Sequence, residues 1–228
     1  MGELASLSEP MPRVLIADDH PLFRSALMLA LERVIEAAEI IEADSLAATR
    51  RCLLETEDID LVLLDLHMPG SRGLAGLVGL RAEFPTVAVV VVSANEDPAV
   101  IRRALDLGAA GFIPKSSGLE VLAEALGCVL DCRSWVPPHM ERPVAEAGKG
   151  ERDAAGRVGA LTPQQFRVLE LVADGQLNKQ IADRLGIQER TVKAHMSEIF
   201  SRLGVRNRTQ AGIAFRQLEL IDPARVRD

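Results

Sequence analysis

Short apolar runs alternate with longer stretches of helical period over the first 130 or so residues. Arg13-Val14-Leu15-Ile16-Ala17, Leu61-Val62-Leu63-Leu64, Val87-Ala88-Val89-Val90-Val91-Val92 and Ala110-Gly111-Phe112-Ile113-Pro114 are almost continuously apolar. Such blocks read as parallel strands covered on both faces. A weaker strand falls near Ala38–Ala43. The intervening segments predict helices over Pro21–Ala37, Leu46–Glu55, Gly73–Phe84, Pro98–Leu107 and Leu119–Leu130. Pro21 and Pro98 suit first-turn positions, where a missing N–H costs nothing. Strand–helix units in this order require right-handed crossovers and predict an α/β doubly wound five-stranded parallel sheet over residues 13–132.

The pattern then changes twice. Residues 133–160 are rich in proline and glycine, with few large apolar residues, and read as a linker, partly extended and partly flexible. Residues 161–223 have only helical period and predict an all-α domain of four helices. Within it Asn178–Ile187 reads as a helix ending in a tight turn at Gly186, and Gln188–Leu203 as the next helix. Val192, Met196, Ile199 and Leu203 make one apolar stripe on that helix, with Lys193, Ala194, Ser197 and Ser201 opposite and Arg190 just ahead. Ile181, Leu185, Ile187 and Val192 are spaced to lock two crossed helices, the arrangement of a helix-turn-helix.

Polar residues stand where the apolar runs stop: Asp18 and Asp19, Asp65, Ser93 and Lys115. The crevice beyond the carboxyl ends of parallel strands is where ligands bind, so these groups are expected around one pocket. Each has a plain alternative: Asp19 or Ser93 as a helix cap, Asp65 as a turn residue, Lys115 as solvated surface. Together they suit a hard cation and a phosphoryl group. Asp18, Asp19 and Asp65 offer the oxygens Mg²⁺ prefers, and Asp65 can accept a phosphoryl group as an acyl phosphate. Ser93 can donate to a phosphoryl oxygen, and Lys115 can balance its charge.

Residues 13–131 resemble the receiver domain of two-component response regulators, through Val14–Arg24, Asp65-Leu66-His67-Met68-Pro69-Gly70 with Gly73, Val92-Ser93-Ala94 and Gly108–Lys115. The resemblance implies that a sensor histidine kinase phosphorylates Asp65. It implies Mg²⁺ held by Asp18, Asp19, Asp65 and the backbone carbonyl of His67, with Ser93, Ala94 and Lys115 at the phosphoryl group. It also implies that Ser93 and Phe112 move together as a switch, with ordinary core as the plain alternative for Phe112. Ser116, not proline, follows the lysine here, and Pro114 precedes it.

In the helical domain Lys193 can reach a base edge or phosphate, Ala194 a thymine methyl, and Ser197 can donate or accept. Lys179, Thr191, Arg206 and Arg208 are phosphate-contact candidates, and Asn178 can cap its helix and aim N–H groups at a phosphate. The stretch Leu161–Ala211 resembles the LuxR-type DNA-binding domain, on Leu161-Thr162-Pro163, Val168-Leu169, Asn178–Ala182, Thr191–His195 and Leu203–Ala211. That resemblance implies base reading by Lys193, Ala194 and Ser197, a packing role for His195, and a final helix, Asn207–Leu220, with Ile213 and Leu218 available for a dimer contact. Gln165 stands where the family often has glutamate.

Charge sharpens this division. The net charge is −7, but residues 1–160 hold 15 basic against 25 acidic side chains, and residues 161–228 hold 11 against 8. An acidic metal-binding module joined to a mildly basic one is expected. Cys52, Cys128 and Cys132 read as small hydrophobes of a reducing cytosol, although Cys128 and Cys132 are spaced to share a helix face near His139. No run reaches membrane-spanning length, and the N-terminus, a loose tail over residues 1–12, lacks a secretory pattern. The expectation is a cytoplasmic, non-enzymatic regulator of the NarL/LuxR type, binding promoter DNA as a homodimer when phosphorylated. A phosphorylation-independent DNA binder and a Mg²⁺-dependent phosphohydrolase are the alternatives.

Overall fold

The computed structural model describes residues 11–147 and 157–220; the expected tail and part of the expected linker lie mostly outside them. The first half is built from β1 (Arg13–Ala17), α1 (Pro21–Glu32), β2 (Glu39–Ala43), α2 (Leu46–Glu55), β3 (Leu61–Asp65), α3 (Leu74–Glu83), β4 (Ala88–Ser93), α4 (Pro98–Asp106), β5 (Gly111–Pro114) and α5 (Leu119–Leu130). The five strands pair in parallel in the order β2-β1-β3-β4-β5. Strand order reverses on either side of β1, which opens a crevice at the carboxyl ends of β1 and β3.

Side-chain alternation divides the sheet's two faces. Val14, Ile16, Leu61, Leu63, Val90, Val92 and Ile113 pack with α1 and α5. Leu15, Ala17, Val62, Leu64, Val89, Val91 and Phe112 pack with α2, α3 and α4, in a core that continues into the C-terminal helices. Helix α1 stops at Glu32, short of the expected Ala37. The chain reverses there, with the Arg33, Val34 and Ile35 N–H groups bonding back to the end of α1.

The segment after α5 differs from the expected linker. Trp135 forms a parallel bridge with Gly111, and its carbonyl accepts the Phe112 N–H at 3.0 Å. A 3-10 turn over Pro138–Met140 leads into α6 (Glu141–Ala147), which lies on α4 and buries Val144. The prolines that suggested an open tether here end one element and start the next. Cys132 lies past α5 at φ 58°, so it does not share a helix face with Cys128.

The second half holds α7 (Pro163–Ala173), α8 (Asn178–Leu185), α9 (Glu189–Leu203) and α10 (Arg208–Leu220). Gly186 ends α8 at φ 64°, the left-handed turn a helix-turn-helix needs. Val192, Met196, Ile199 and Leu203 are buried as the stripe predicted. Thr162 caps α7 by accepting the Gln165 N–H, and the Gln165 side-chain oxygen accepts the Thr162 N–H in return.

The amide end of Gln165 is also committed, because its Nε2 donates to Glu198 Oε2 on α9. This accounts for the departure from glutamate: a carboxylate at 165 would keep the cap but face the Glu198 carboxylate. Gln165→Glu should therefore cost about 1 kcal/mol at neutral pH, read as a lowered thermal midpoint by circular dichroism. The loss should shrink below about pH 4.5, where a protonated carboxyl can donate, and the added change Glu198→Gln should restore stability at neutral pH. An unchanged midpoint in Gln165→Glu would refute this role of the amide.

Candidate functional site

The carboxyl ends of β3 and β4 and the residues just past β1 and β5 bring Asp65, Ser93, Asp18, Asp19 and Lys115 together at one end of the sheet. Asp18, Asp65 and Ser93 are buried, and Asp19 is partly so. Lys115 Nζ lies 2.7 Å from Asp18 Oδ2 and 3.0 Å from Asp65 Oδ2. Its stem passes near the Phe23 ring, 5.2 Å from ammonium to ring centre, a geometry in which the ring face attracts the cation. The Lys115 N–H also donates to the Ser93 carbonyl at 2.8 Å, tying the ends of β4 and β5.

Burial pushes the Asp65 carboxyl up, but hydrogen bonding by His67 and the charge and hydrogen bond of Lys115 outweigh it and hold it below its ordinary value. Its Oδ1 accepts the His67 N–H at 3.1 Å, which turns the chain sharply after the strand. An ionised carboxylate with one oxygen beside an ammonium is suited to attack a phosphorus atom.

The Asp18 and Asp65 Oδ2 atoms are buried and face the Lys115 ammonium. Clustered carboxylate oxygens of this kind suit a divalent ion, and oxygen donors match Mg²⁺. Ala94 is exposed at the rim. The Ser93 hydroxyl accepts the Asn95 N–H at 3.1 Å, and Phe112 is fully buried behind β4.

Two contributors were not assigned a role from sequence. His20 occupies the N-cap position of α1 without a side-chain capping hydrogen bond, and its Nδ1 lies 2.7 Å from Asp19 Oδ1 and 3.1 Å from Asp18 Oδ1. Arg24 donates to the Asp18 carbonyl at 2.8 Å and pairs with Glu42, fixing the β1–α1 corner. Both stand in a motif whose acids drew the attention, and their spacing of one and five residues from Asp19 was the available signal.

On the helical domain Lys193, Ala194 and Ser197 share an open face of α9, with Arg190 and Lys179 exposed nearby and Thr191 partly buried. Lys193 pairs with Glu189 at 3.0 Å, an exposed contact of small worth that a phosphate can displace. Arg206 is exposed. Arg208 is spent inside the protein, on the Asn178 side chain at 3.3 Å and on the Gln176 carbonyl. Asn178 does not cap α8: its oxygen accepts from Arg208, while Gln180 takes the Leu177 N–H. The sequence showed a capping residue type here but not the arginine 30 positions away that claims it.

The receiver-like half touches the helical half through α3, which is buried along Leu74–Leu80 between the sheet and α7 and α10. Arg72 pairs with Asp174 at 2.7 Å and Glu219 at 3.3 Å. Glu83 binds Arg167 at 2.8 Å. Gly73 has φ 55°, and a Cβ there would sit 2.8 Å from the Leu218 carbonyl, so only glycine fits. Leu218 is fully buried in this packing and is not available on the surface, contrary to the expected dimer contact, whereas Ile213 is 53% exposed. The face of α9 that carries Lys193, Ala194 and Ser197 is open, while α10 has one side buried, through Ala211, Ala214, Phe215 and Leu218. Among the described residues no helix is long and apolar enough to cross a membrane.

Comparison with known proteins places both halves. Residues 14–127 match the response regulator receiver domain, and residues 159–214 match the bacterial regulatory proteins of the luxR family. The chain is similar to the glycerol metabolism activator of Pseudomonas putida, 42% identical over 88% of this chain and 93% of that protein. It is similar to the probable transcriptional regulatory protein NarL of Mycobacterium tuberculosis, 35% identical over 95% of this chain and all of that one. Among solved structures it resembles RcsB of Salmonella enterica serovar Typhimurium bound to promoter P1flhDC in the presence of the phosphomimetic BeF3−. That likeness has 26% identity and a TM-score of 0.57, and covers 92% of this chain and 98% of that one. Its pocket, its helix-turn-helix and these likenesses agree: the chain belongs to the two-component response regulators of the NarL type, in which a receiver domain is joined to a LuxR-family DNA-binding domain.

Proposed function

We propose that Asp65 accepts a phosphoryl group from a sensor histidine kinase, with Mg²⁺ held by Asp18, Asp19, Asp65 and the His67 carbonyl, and that this controls dimerisation and promoter binding. The observation that carries this reading is the pocket itself: a buried carboxylate, kept ionised, beside an ammonium and two further acids. As the P–N bond of the donor histidine breaks, the Asp65 carboxylate forms the new P–O bond, and the leaving imidazole takes up a proton. Lys115 moves its charge from the carboxylates to the phosphoryl oxygens, and the Ser93 hydroxyl donates to one of them. The metal ion, when bound, neutralises charge on the transferring group.

Two connections support transmission from this pocket. The Phe112 N–H bonds the Trp135 carbonyl, so a shift of β5 pulls on the start of the linker. The loop leaving Asp65 ends at Arg72 and Gly73, which press on Asp174, Leu218 and Glu219. A new anionic group on Asp65 biases that loop, and releasing it frees α10, the helix with exposed Ile213, to meet its counterpart in a second copy. Paired reading helices then engage paired half-sites.

Three outcomes test the reading. Acetyl phosphate with Mg²⁺ should label the native protein on an acid-stable, base-labile acyl group, and Asp65→Asn should take up none; full labelling of that variant would remove Asp65 from its role. The chain has one tryptophan, Trp135, and its emission should change on phosphodonor addition in the native protein and stay constant in Asp65→Asn. Arg72→Glu, facing Asp174 and Glu219, should weaken the interface by on the order of 1 kcal/mol. Sedimentation should then show dimerisation tighter by roughly fivefold per copy, about 25-fold in the dimer constant, without phosphodonor, and an unchanged monomer–dimer balance would exclude this latch.

A further inference from the structure

The acidic pocket contains a nitrogen donor as well as oxygens. One ligand atom from each of Asp18, Asp19, His20 and Asp65 can be chosen so that all lie within 4.8 Å of one another. His20 Nδ1 is 2.7 Å from Asp19 Oδ1, 3.1 Å from Asp18 Oδ1 and 4.0 Å from Asp65 Oδ2. Donors bound to one zinc-sized ion at about 2.0–2.2 Å are separated by roughly 3 Å when adjacent and roughly 4 Å when opposite, so these spacings are close to those of a shared ion. The Asp18 and Asp65 side chains are nearly or wholly inaccessible to solvent, and their Oδ2 atoms are held by the Lys115 ammonium at 2.7 and 3.0 Å, so an entering cation takes the place of that ammonium.

The imidazole is not held there by packing. Its side chain is 63% exposed, and the polar groups facing its Nδ1 are the three carboxylates and the Lys115 ammonium at 3.5 Å. The backbone orients it: the His20 N–H donates to Asp18 Oδ1 at 2.8 Å, and the residue begins α1 in an extended conformation. A ring whose Nδ1 faces three carboxylates, and whose side chain is otherwise open to water, can serve either as a counter-charge or as a ligand.

We infer that His20 is a ligand: the phosphoacceptor pocket takes first-row transition ions such as Co²⁺ or Zn²⁺ through this imidazole, in addition to the oxygen-bound Mg²⁺. Imidazole favours these ions over Mg²⁺, whereas carboxylates and carbonyls alone do not discriminate in that direction. The inference rests on the reading of Asp18, Asp19 and Asp65 as cation ligands, and adds His20 to them.

The two roles of His20 make opposite forecasts. As a counter-charge it competes with every divalent ion, so its removal strengthens Co²⁺ and Mg²⁺ alike. As a ligand its removal weakens Co²⁺ alone. Calorimetric titration of the full chain with CoCl₂ and with MgCl₂, on native protein, His20→Asn and Asp18→Asn, separates them, with the visible absorption of bound Co²⁺ reporting nitrogen ligation. Expected are a Co²⁺ affinity lowered roughly tenfold in His20→Asn, an altered Co²⁺ spectrum, Mg²⁺ affinity unchanged within about twofold, and loss of both ions in Asp18→Asn. Co²⁺ and Mg²⁺ affinities that rise together or stay fixed in His20→Asn would overturn the ligand role while leaving the acidic site intact. Native protein that binds neither ion, or Asp18→Asn that binds both normally, would instead overturn the underlying cation site.

Discussion

Mutual repulsion among Asp18, Asp19 and Asp65 is the constraint on which the molecule turns. Three strand-end carboxylates in one partly dry crevice raise the energy of the folded chain unless positive charge enters it. In this state the Lys115 ammonium supplies it, 2.7 and 3.0 Å from two of the acids. The arrangement is poised, since the same groups that tolerate the acids at rest are the ones an incoming cation and phosphoryl group would recruit. A receiver without that tension would have little reason to respond to an added anion.

The tension is delivered to distant parts through short, stiff connections. Lys115 is tied by its backbone to Ser93, Phe112 by its backbone to Trp135, and the loop from Asp65 runs within a few residues to the salt bridges of Arg72. None of these routes needs a long-range conformational wave. Each is a main-chain hydrogen bond or a charged contact between elements already packed, so a displacement of about an ångström at the pocket can be resolved as a switch between two packings.

Much of this was legible in the sequence because strand period and strand ends are local properties. The runs ending at Asp18, Asp65, Ser93 and Lys115 are the observed strands to within a residue or two, and the buried stripe of α9 followed from its spacing. What escaped depends on partners far along the chain. Asn178 looked like a cap until Arg208 claimed its oxygen, and Leu218 looked available until the packing of α10 buried it. The linker's prolines and glycines concealed Trp135 and Val144, two apolar anchors too widely spaced to make a period. The clearest neglected signal was Leu74-Ala75-Gly76-Leu77-Val78-Gly79-Leu80, a helix with no polar side. Such a helix must be enclosed all round, and here its outer surface is closed by α7 and α10.

That enclosure makes the two halves poor candidates for free exchange. A receiver transplanted onto another output module would carry the uncovered flank of α3 into water, a contiguous greasy strip where most soluble folds present charge. Its new companion would have to supply a matching apolar seat, room for the carbonyl that abuts Gly73, and acids for Arg72. Replacing either half alone would leave α3 uncovered and Arg72 without its acids, so the two halves depend on one another at this seam.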